Sequence, residues 1–203
     1  MNKEEFAKVY RHSLAHILAK AVMEIYGKEN VQIAIGPEIA DGFYYDFVLP
    51  KNVTNDDFPA IEEKMREIIK RKEDWVCKEL SKSEALEVFK DQIFKVELIN
   101  ELTEDERLTV YYTGDDLCRG PHISNSQELM NCAFQIKSAS GSYWRGDENR
   151  EQLQRIYVYA FLNKQDLKEH LKLVKEAMER DHKKIGPALD LFMFQPSAPG
   201  MPY

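Results

Sequence analysis

The chain has 203 residues, a formal net charge of −7, 43% apolar and 31% charged residues. That composition excludes wholesale disorder, and the acidic balance argues against a protein that coats nucleic acid nonspecifically, because such binding relies on Lys and Arg to neutralise phosphates. No run approaches the roughly 18 apolar residues of a membrane span, and Met-Asn-Lys-Glu-Glu is not a signal peptide, so a cytoplasmic location and no membrane partner are expected, with the three Cys reduced.

Residues 4 to 26 predict a helix, with Phe6, Val9, Leu14, Ile17, Leu18, Ala21, Val22 and Ile25 on a 3.6-residue period and Gly27 at the C-cap position. His12 and His16 fall off that stripe, with Ala15, Ala19 and Met23, and stand one turn apart on one face. Residues 31 to 48 predict two strands around a turn punctuated by Gly36-Pro37 and Asp41-Gly42, with Phe43, Tyr44, Tyr45 and Phe47 as β-formers. Asp56 to Lys72 reads as a helix through Phe58, Ile61, Met65, Ile68 and Ile69, and Ser83 to Phe89 as a shorter one capped by Ser83. Lys95 on its own reads as a surface lysine.

Leu108 to Tyr112 is a strand candidate leading to a tight, non-helical loop, Thr113 to His122, rich in Gly and Pro. A loop on a rigid scaffold is where working groups are usually presented. Cys118 and His122 repeat the four-residue spacing of His12 and His16, and the two pairs use three of five His and one of three Cys. Together they predict a single cleft: a four-ligand set that suits tetrahedral zinc, or a set that holds a reactive water without metal. Cys77 and Cys132 lack a His at ligand spacing and read as structural. Strands are expected at Cys132 to Ser138 and Arg155 to Leu162. A helix from Asn163 to near His182 follows, with a narrow stripe of Leu167, Leu171, Val174 and Met178, stopped by Gly186-Pro187. Phe192 to Tyr203 reads as a Pro-rich linker without a partner element.

The predicted fold is therefore α+β: the helix carrying His12-x-x-x-His16 packed on a largely antiparallel sheet, with a smaller helical lobe and a C-terminal linker helix. Residues 1–162 form the main domain, with 50–107 as the inserted lobe, and 163–203 form the linker.

Several motifs in order resemble the second N-terminal domain, the editing domain, of threonyl-tRNA synthetases: Arg11-His12-Ser13 with Ala15-His16, Ile35-Gly36-Pro37, Gly42-Phe43-Tyr44-Tyr45-Asp46, and above all Leu117-Cys118-Arg119-Gly120-Pro121-His122. Tyr143-Trp144-Arg145-Gly146-Asp147, Gln154-Arg155-Ile156-Tyr157 and Arg180 to Gly186 are also similar to that family. Alanyl-tRNA synthetase editing domains share the layout but have Thr before the second His of each half, where this chain has Ala15 and Pro121. The chain departs from the family at Val158-Tyr159, where Gly-Thr is usual, and at Pro187.

The resemblance implies a proofreading activity that hydrolyses the ester of mischarged seryl-tRNA(Thr) with an oriented water. It implies His12, His16, Lys95 and His122 as catalytic residues, and Asp116, Cys118 and Tyr45 as substrate-binding residues. No cofactor is required for editing on this reading; zinc at His12, His16, Cys118 and His122 is the alternative, either in a hydrolase of the alanyl editing type or as a structural ion. A noncatalytic tRNA-docking module is a further one. The implied partners are the acceptor end of tRNA(Thr) and the synthetic and anticodon-binding domains of the same chain, in a homodimer whose ATP and threonine sites lie outside these residues.

Overall fold

The computed structural model describes residues 3–103, 108–111, 116–182, 185–186, 189–191, 193–195 and 198–202. The chain divides into two compact units, Met1–Lys164 and Gln165–Tyr203.

The first unit is built on α1 (Lys3–Tyr26), which runs without Gly or Pro and ends at Gly27, whose positive φ of 88° suits glycine. Its central residues from Ser13 to Ala19 are buried on every side, so the face of small residues that carries His16 is interior, while His12 at its edge is half-buried. A helix apolar or small nearly all round belongs in a core, and this one sits between a sheet and a second helix.

The sheet is antiparallel, in the order β1 (Gln32–Ile33), β3 (Gly42–Val48), β8 (Gln152–Phe161), β7 (Ala133–Tyr143), with β2 (Glu38–Ile39) also pairing β3. Period-2 alternation turns Phe43, Tyr45 and Phe47 into the core that α1 shares through Leu14, Leu18 and Val22. The register sets Asp46 opposite Arg155 and Tyr45 opposite Ile156. Val158, where the resemblance fails, pairs with Phe43 and Ile136; β8 continues through it, and the register with β7 shifts beside it, between Ile136 and Ser138.

The helix expected at 56–72 is α2 (Phe58–Lys70), with Pro59 in its first turn. Its Ile61, Met65 and Ile68 join the main core beside α1, so it does not belong with the smaller lobe. That lobe is formed by β4 (Cys77–Leu80), α3 (Lys82–Val88), α4 (Ile93–Glu101), β5 (Leu108–Tyr111) and β6 (Asp116–Leu117), with Ala85, Phe89, Ile99, Leu108 and Val110 at its centre. Ser81, not Ser83, caps α3: its hydroxyl accepts from the Glu84 amide at 3.3 Å while the Glu84 carboxylate accepts from the Ser81 amide at 2.8 Å.

The second unit comprises most of α5 (Lys164–Glu179) and an antiparallel pair, β9 (Phe194–Gln195) with β10 (Ala198–Pro202). The tail expected to lack a partner element thus pairs with itself. Tyr112 to Asp115 of the expected strand and loop, Lys183, Lys184, Pro187, Phe192, Pro196, Ser197 and Tyr203 lie outside the described residues. Among the described residues no helix is long and apolar enough to cross a membrane.

Candidate functional site

Two local structures bring the separated motifs together. The first is α1, whose pitch brings His12 and His16 edge-to-face, with ring centroids 5.1 Å apart. The second is the loop after β6. Its first residue is tied to β5 by the Cys118 amide donating to the Thr109 carbonyl at 3.1 Å and by the Thr109 hydroxyl donating to the Cys118 carbonyl at 2.5 Å. Gly120 then adopts φ 68°, and a Cβ there would stand 2.5 Å from the Tyr111 hydroxyl, so glycine serves both the turn and the close approach.

The loop folds over α1 at Ser13. The buried Ser13 hydroxyl accepts from the Ile123 amide at 3.3 Å and lies 3.2 Å from His122 Nδ1, locking the imidazole. His122 stacks on His12, centroids 4.5 Å and 13° apart, and meets the edge of His16 at 4.5 Å. Trp75 and Tyr111 wall the other sides of the His122 ring at 4.9 Å and 4.3 Å. Cys118 Sγ lies 2.8 Å from His12 Nε2 and 3.2 Å from His122 Nε2.

Beneath this cluster is a buried charged one. Asp116 Oδ1 stands 2.5 Å from Lys95 Nζ, and Asp116 Oδ2 accepts from the Tyr45 hydroxyl at 2.5 Å. Asp116 and Lys95 are each 3% exposed and Tyr45 1%. His16 Nδ1 is 3.3 Å from Asp116 Oδ2 but has no hydrogen-bond partner, so this contact is proximity and not an ion pair. Tyr45 reaches Asp116 because Gly36 leaves room: a Cβ on Gly36 would fall 2.1 Å from the Tyr45 ring. Lys95, a surface lysine by its sequence context, is carried inward by α4.

Burial dominates the protonation equilibria. It lowers His12 and His16, the latter well below the ordinary value with His12 and Lys95 adding to the effect, and pushes His122 down to about 2. It pushes the Cys118 thiol up to about 11 and the Tyr45 phenol well above its usual value, where the Asp116 charge adds to the rise. The metal-free cluster therefore holds neutral imidazoles and an un-ionised thiol at pH 7.

An open cleft of about 590 Å³ leads to the site, lined by Val9 and His12 of α1, Glu38, and Cys118 to Pro121, with Glu5 and Lys8 at its rim. His12 and Cys118 face it, while His16, Lys95, Asp116 and Tyr45 are buried. One donor atom from each of His12, His16, Cys118 and His122 lies within 4.8 Å of the others. The set fits tetrahedral zinc in number and kind, and His12 Nδ1 and His16 Nδ1 are buried without a hydrogen-bond partner. Adjacent donors about a tetrahedral zinc lie roughly 3.3–3.7 Å apart, so the wider separations must contract for all four to bind one ion.

All seven residues singled out in the sequence thus converge on one site. Ser13, Trp75, Tyr111, Thr109 and Gly36 were not assigned a role. Ser13 adjoins His12 in a quoted motif, which could have marked it; nothing in the sequence marks Trp75.

Residues 108–157 match the family described as "Threonyl and Alanyl tRNA synthetase second additional domain". The chain is 49% identical over 203 residues to a threonine--tRNA ligase of Thermotoga neapolitana, covering 98% of this chain and 31% of that protein. It is 49% identical over 207 residues to one of Petrotoga mobilis, covering 100% and 32%, and 46% identical over 192 residues to one of Staphylococcus carnosus, covering 94% and 29%. The chain thus spans about a third of the length of these relatives.

Proposed function

Because the chain is the counterpart of the editing-domain region of threonyl-tRNA synthetases, we propose that it is the proofreading hydrolase of such an enzyme, releasing serine from mischarged seryl-tRNA(Thr) in the cytoplasm. Threonine and serine differ by one methyl group, and about 1–3 kcal/mol per methylene cannot give the fidelity translation requires. A second site that admits the smaller ester and hydrolyses it supplies the remainder.

The observation that carries this reading is the meeting of His12, His16, Cys118 and His122 at a cleft with a buried carboxylate and ammonium directly behind them. An ester already activated by tRNA needs an oriented water and stabilisation of an oxyanion. His12, at the cleft, and His16, behind it, take the terminal ribose and the attacking water. The neutral imidazoles can hold that water by hydrogen bonds, and Ser13 and Trp75 keep the His122 ring from turning away. Lys95 supplies positive charge to the developing oxyanion. Asp116 takes the substrate ammonium, in part exchange for Lys95, and Tyr45 keeps the carboxylate in place. Cys118 forms the wall of the serine subsite. Its un-ionised thiol disfavours a covalent intermediate.

Zinc at the four donors is the second reading, favoured by their clustering. Held by three of them with water in the fourth position it would supply Lewis-acid activation of water, and held by all four it would be a structural ion. The rest of the reading concerns the whole enzyme: the acceptor end of tRNA(Thr), synthetic and anticodon-binding domains in the same chain, ATP and threonine at a separate site, and a homodimer.

Deacylation of seryl-tRNA(Thr) by chelator-treated protein, with and without added zinc, tests the proposal. We expect hydrolysis without metal, reduced about 100-fold or more in His122→Ala. Activity that returns only with zinc supports the second reading, and tRNA binding without hydrolysis in either state supports a docking module.

A further inference from the structure

We propose that Glu97, gripped by Trp144 and Arg150, is a positioning residue that fixes Lys95 in the site, which makes the turn between β7 and β8 a remote part of the hydrolytic apparatus. The role of Lys95 rests on the proposed function; its placement does not.

Helix α4 is only 9 residues long and has no side-chain cap at its N-terminus. Isolated helices shorter than about 12–15 residues are marginal in water, so tertiary contacts must set its position. At its start, two glutamines exchange bonds with the backbone across the gap to β1. The Gln92 side chain accepts from the Ile33 amide at 2.8 Å and donates to the Val31 carbonyl at 3.0 Å. Gln32 accepts from the Ile93 amide at 2.9 Å and donates to the Asp91 carbonyl at 2.9 Å. These bonds fix where the helix begins, and Phe94 and Ile99, buried in two different clusters, limit its rotation.

A further restraint on rotation lies one turn on. Glu97 Oε1 accepts from Trp144 Nε1 at 2.9 Å, Glu97 Oε2 accepts from Arg150 Nη2 at 2.7 Å, and Arg145 Nε approaches at 3.3 Å. The Trp144 ring packs on Phe94 with centroids 4.7 Å apart, in a buried cluster that includes Ala34 and Leu153. Arg150, first, and Trp144, second, hold the Glu97 carboxyl below its usual range. Lys95 and Glu97 are two residues apart, so at about 100° per residue they project from nearly opposite sides of the helix. One side is tied to the turn and the other enters the site.

The coupling follows from this geometry. A rotation of α4 by about 20° moves an atom roughly 5 Å from its axis by nearly 2 Å. Such a shift is comparable with the 2.5 Å contact of Lys95 Nζ with Asp116, which the flexible stem then keeps only by taking a new rotamer. A misplacement of about 1 Å can cost on the order of 100-fold in rate. The Tyr143-Trp144-Arg145-Gly146-Asp147 motif, otherwise without a role, acquires one through Glu97.

The test uses the chain as it stands. Lys95 reactivity toward reductive methylation is read by mass spectrometry, alongside kcat and KM for seryl-tRNA(Thr) hydrolysis, in Glu97→Ala, Glu97→Gln, Trp144→Phe and the control Glu101→Gln. We expect Glu97→Ala to raise Lys95 modification about 10-fold or more and lower kcat about 100-fold at unchanged KM. Glu97→Gln, which keeps an acceptor for Trp144, should recover most of both, and Glu101→Gln should match the parent. A folded Glu97→Ala that keeps Lys95 protected, or keeps the parent kcat, overturns the proposal. If Glu97→Ala does not fold, Trp144→Phe, which retains the ring on Phe94, decides by the same two readouts. Should the parent prove inactive while Glu97→Ala exposes Lys95, the positioning claim stands and the hydrolytic reading falls.

Discussion

Replacing Asp116 by asparagine isolates the contribution of the buried charge pair. The carboxylate is 3% exposed and neutralises an ammonium that is itself 3% exposed, 2.5 Å away. The substituted amide is nearly isosteric and could still accept from Tyr45, so packing changes little. What changes is that the Lys95 charge loses its partner inside the fold. Removing one member of a buried pair costs about 3–5 kcal/mol, because the survivor is left desolvated and uncompensated. With a urea m-value of about 2 kcal/mol/M, the unfolding midpoint should fall by roughly 1.5–2.5 M. Equilibrium denaturation followed by tryptophan fluorescence is the assay, since Trp75 sits against His16 and His122 of the site. The double variant Asp116→Asn, Lys95→Met should regain a large part of the loss, as neither charge then remains. A single variant within about 1 kcal/mol of the parent, or a double variant no better than the single, would refute the reasoning, since the pair could then not be a buried one.

Gly36→Ala should destabilise the domain by about 1–3 kcal/mol and displace Tyr45 from Asp116, because the added Cβ meets the ring 2.1 Å away; thermal denaturation and hydrolysis rates check it. Ser13→Ala leaves the buried Ile123 amide without its acceptor and frees His122, so a loss of about 1–3 kcal/mol should accompany a fall in kcat. Folding should weaken as pH drops below about 6.5, where the unfolded chain takes up protons that His12, His16 and His122, held lower by burial, refuse in the fold. Denaturation midpoints at pH 7.5, 6.5 and 5.5 should decline in that order, and a flat series contradicts the burial of neutral imidazoles. Binding of tRNA(Thr) should be weak, given the net charge of −7, and should weaken further with added salt; tight binding that ignores salt runs against the account.

Much of the site was legible because chemistry and spacing coincide. His12 and His16 are one helical turn apart, and Cys118 and His122 repeat the interval on a loop marked by Gly120 and Pro121, so each pair announces itself before any contact is known. Lys95 shows the limit: nothing local distinguishes it from an exposed lysine, and only the packing of α4, fixed by Trp144 nearly fifty residues later, turns it inward. The same non-locality hid α4, whose residues Ile93, Phe94, Val96, Leu98 and Ile99 follow no clean period because Phe94 and Ile99 serve two different cores. The α1 stripe was read as one apolar face, whereas α2 covers much of the other side, which sequence periodicity alone cannot foresee. Ser81 displaced Ser83 as the cap by a two-residue shift of the kind that helix boundaries commonly show.

The central claim is selective hydrolysis, and a single-turnover comparison of the two esters measures it. Seryl-tRNA(Thr) and threonyl-tRNA(Thr) are each mixed with saturating protein and the released amino acid is followed. The proposed subsite beside Cys118 and Asp116 should penalise the extra methyl by about 1–3 kcal/mol of overpacking, with misaligned attack adding to it, so serine should be released at least 10-fold faster while the threonyl ester stays largely intact. Equal hydrolysis of both esters, or none of either, would contradict the account.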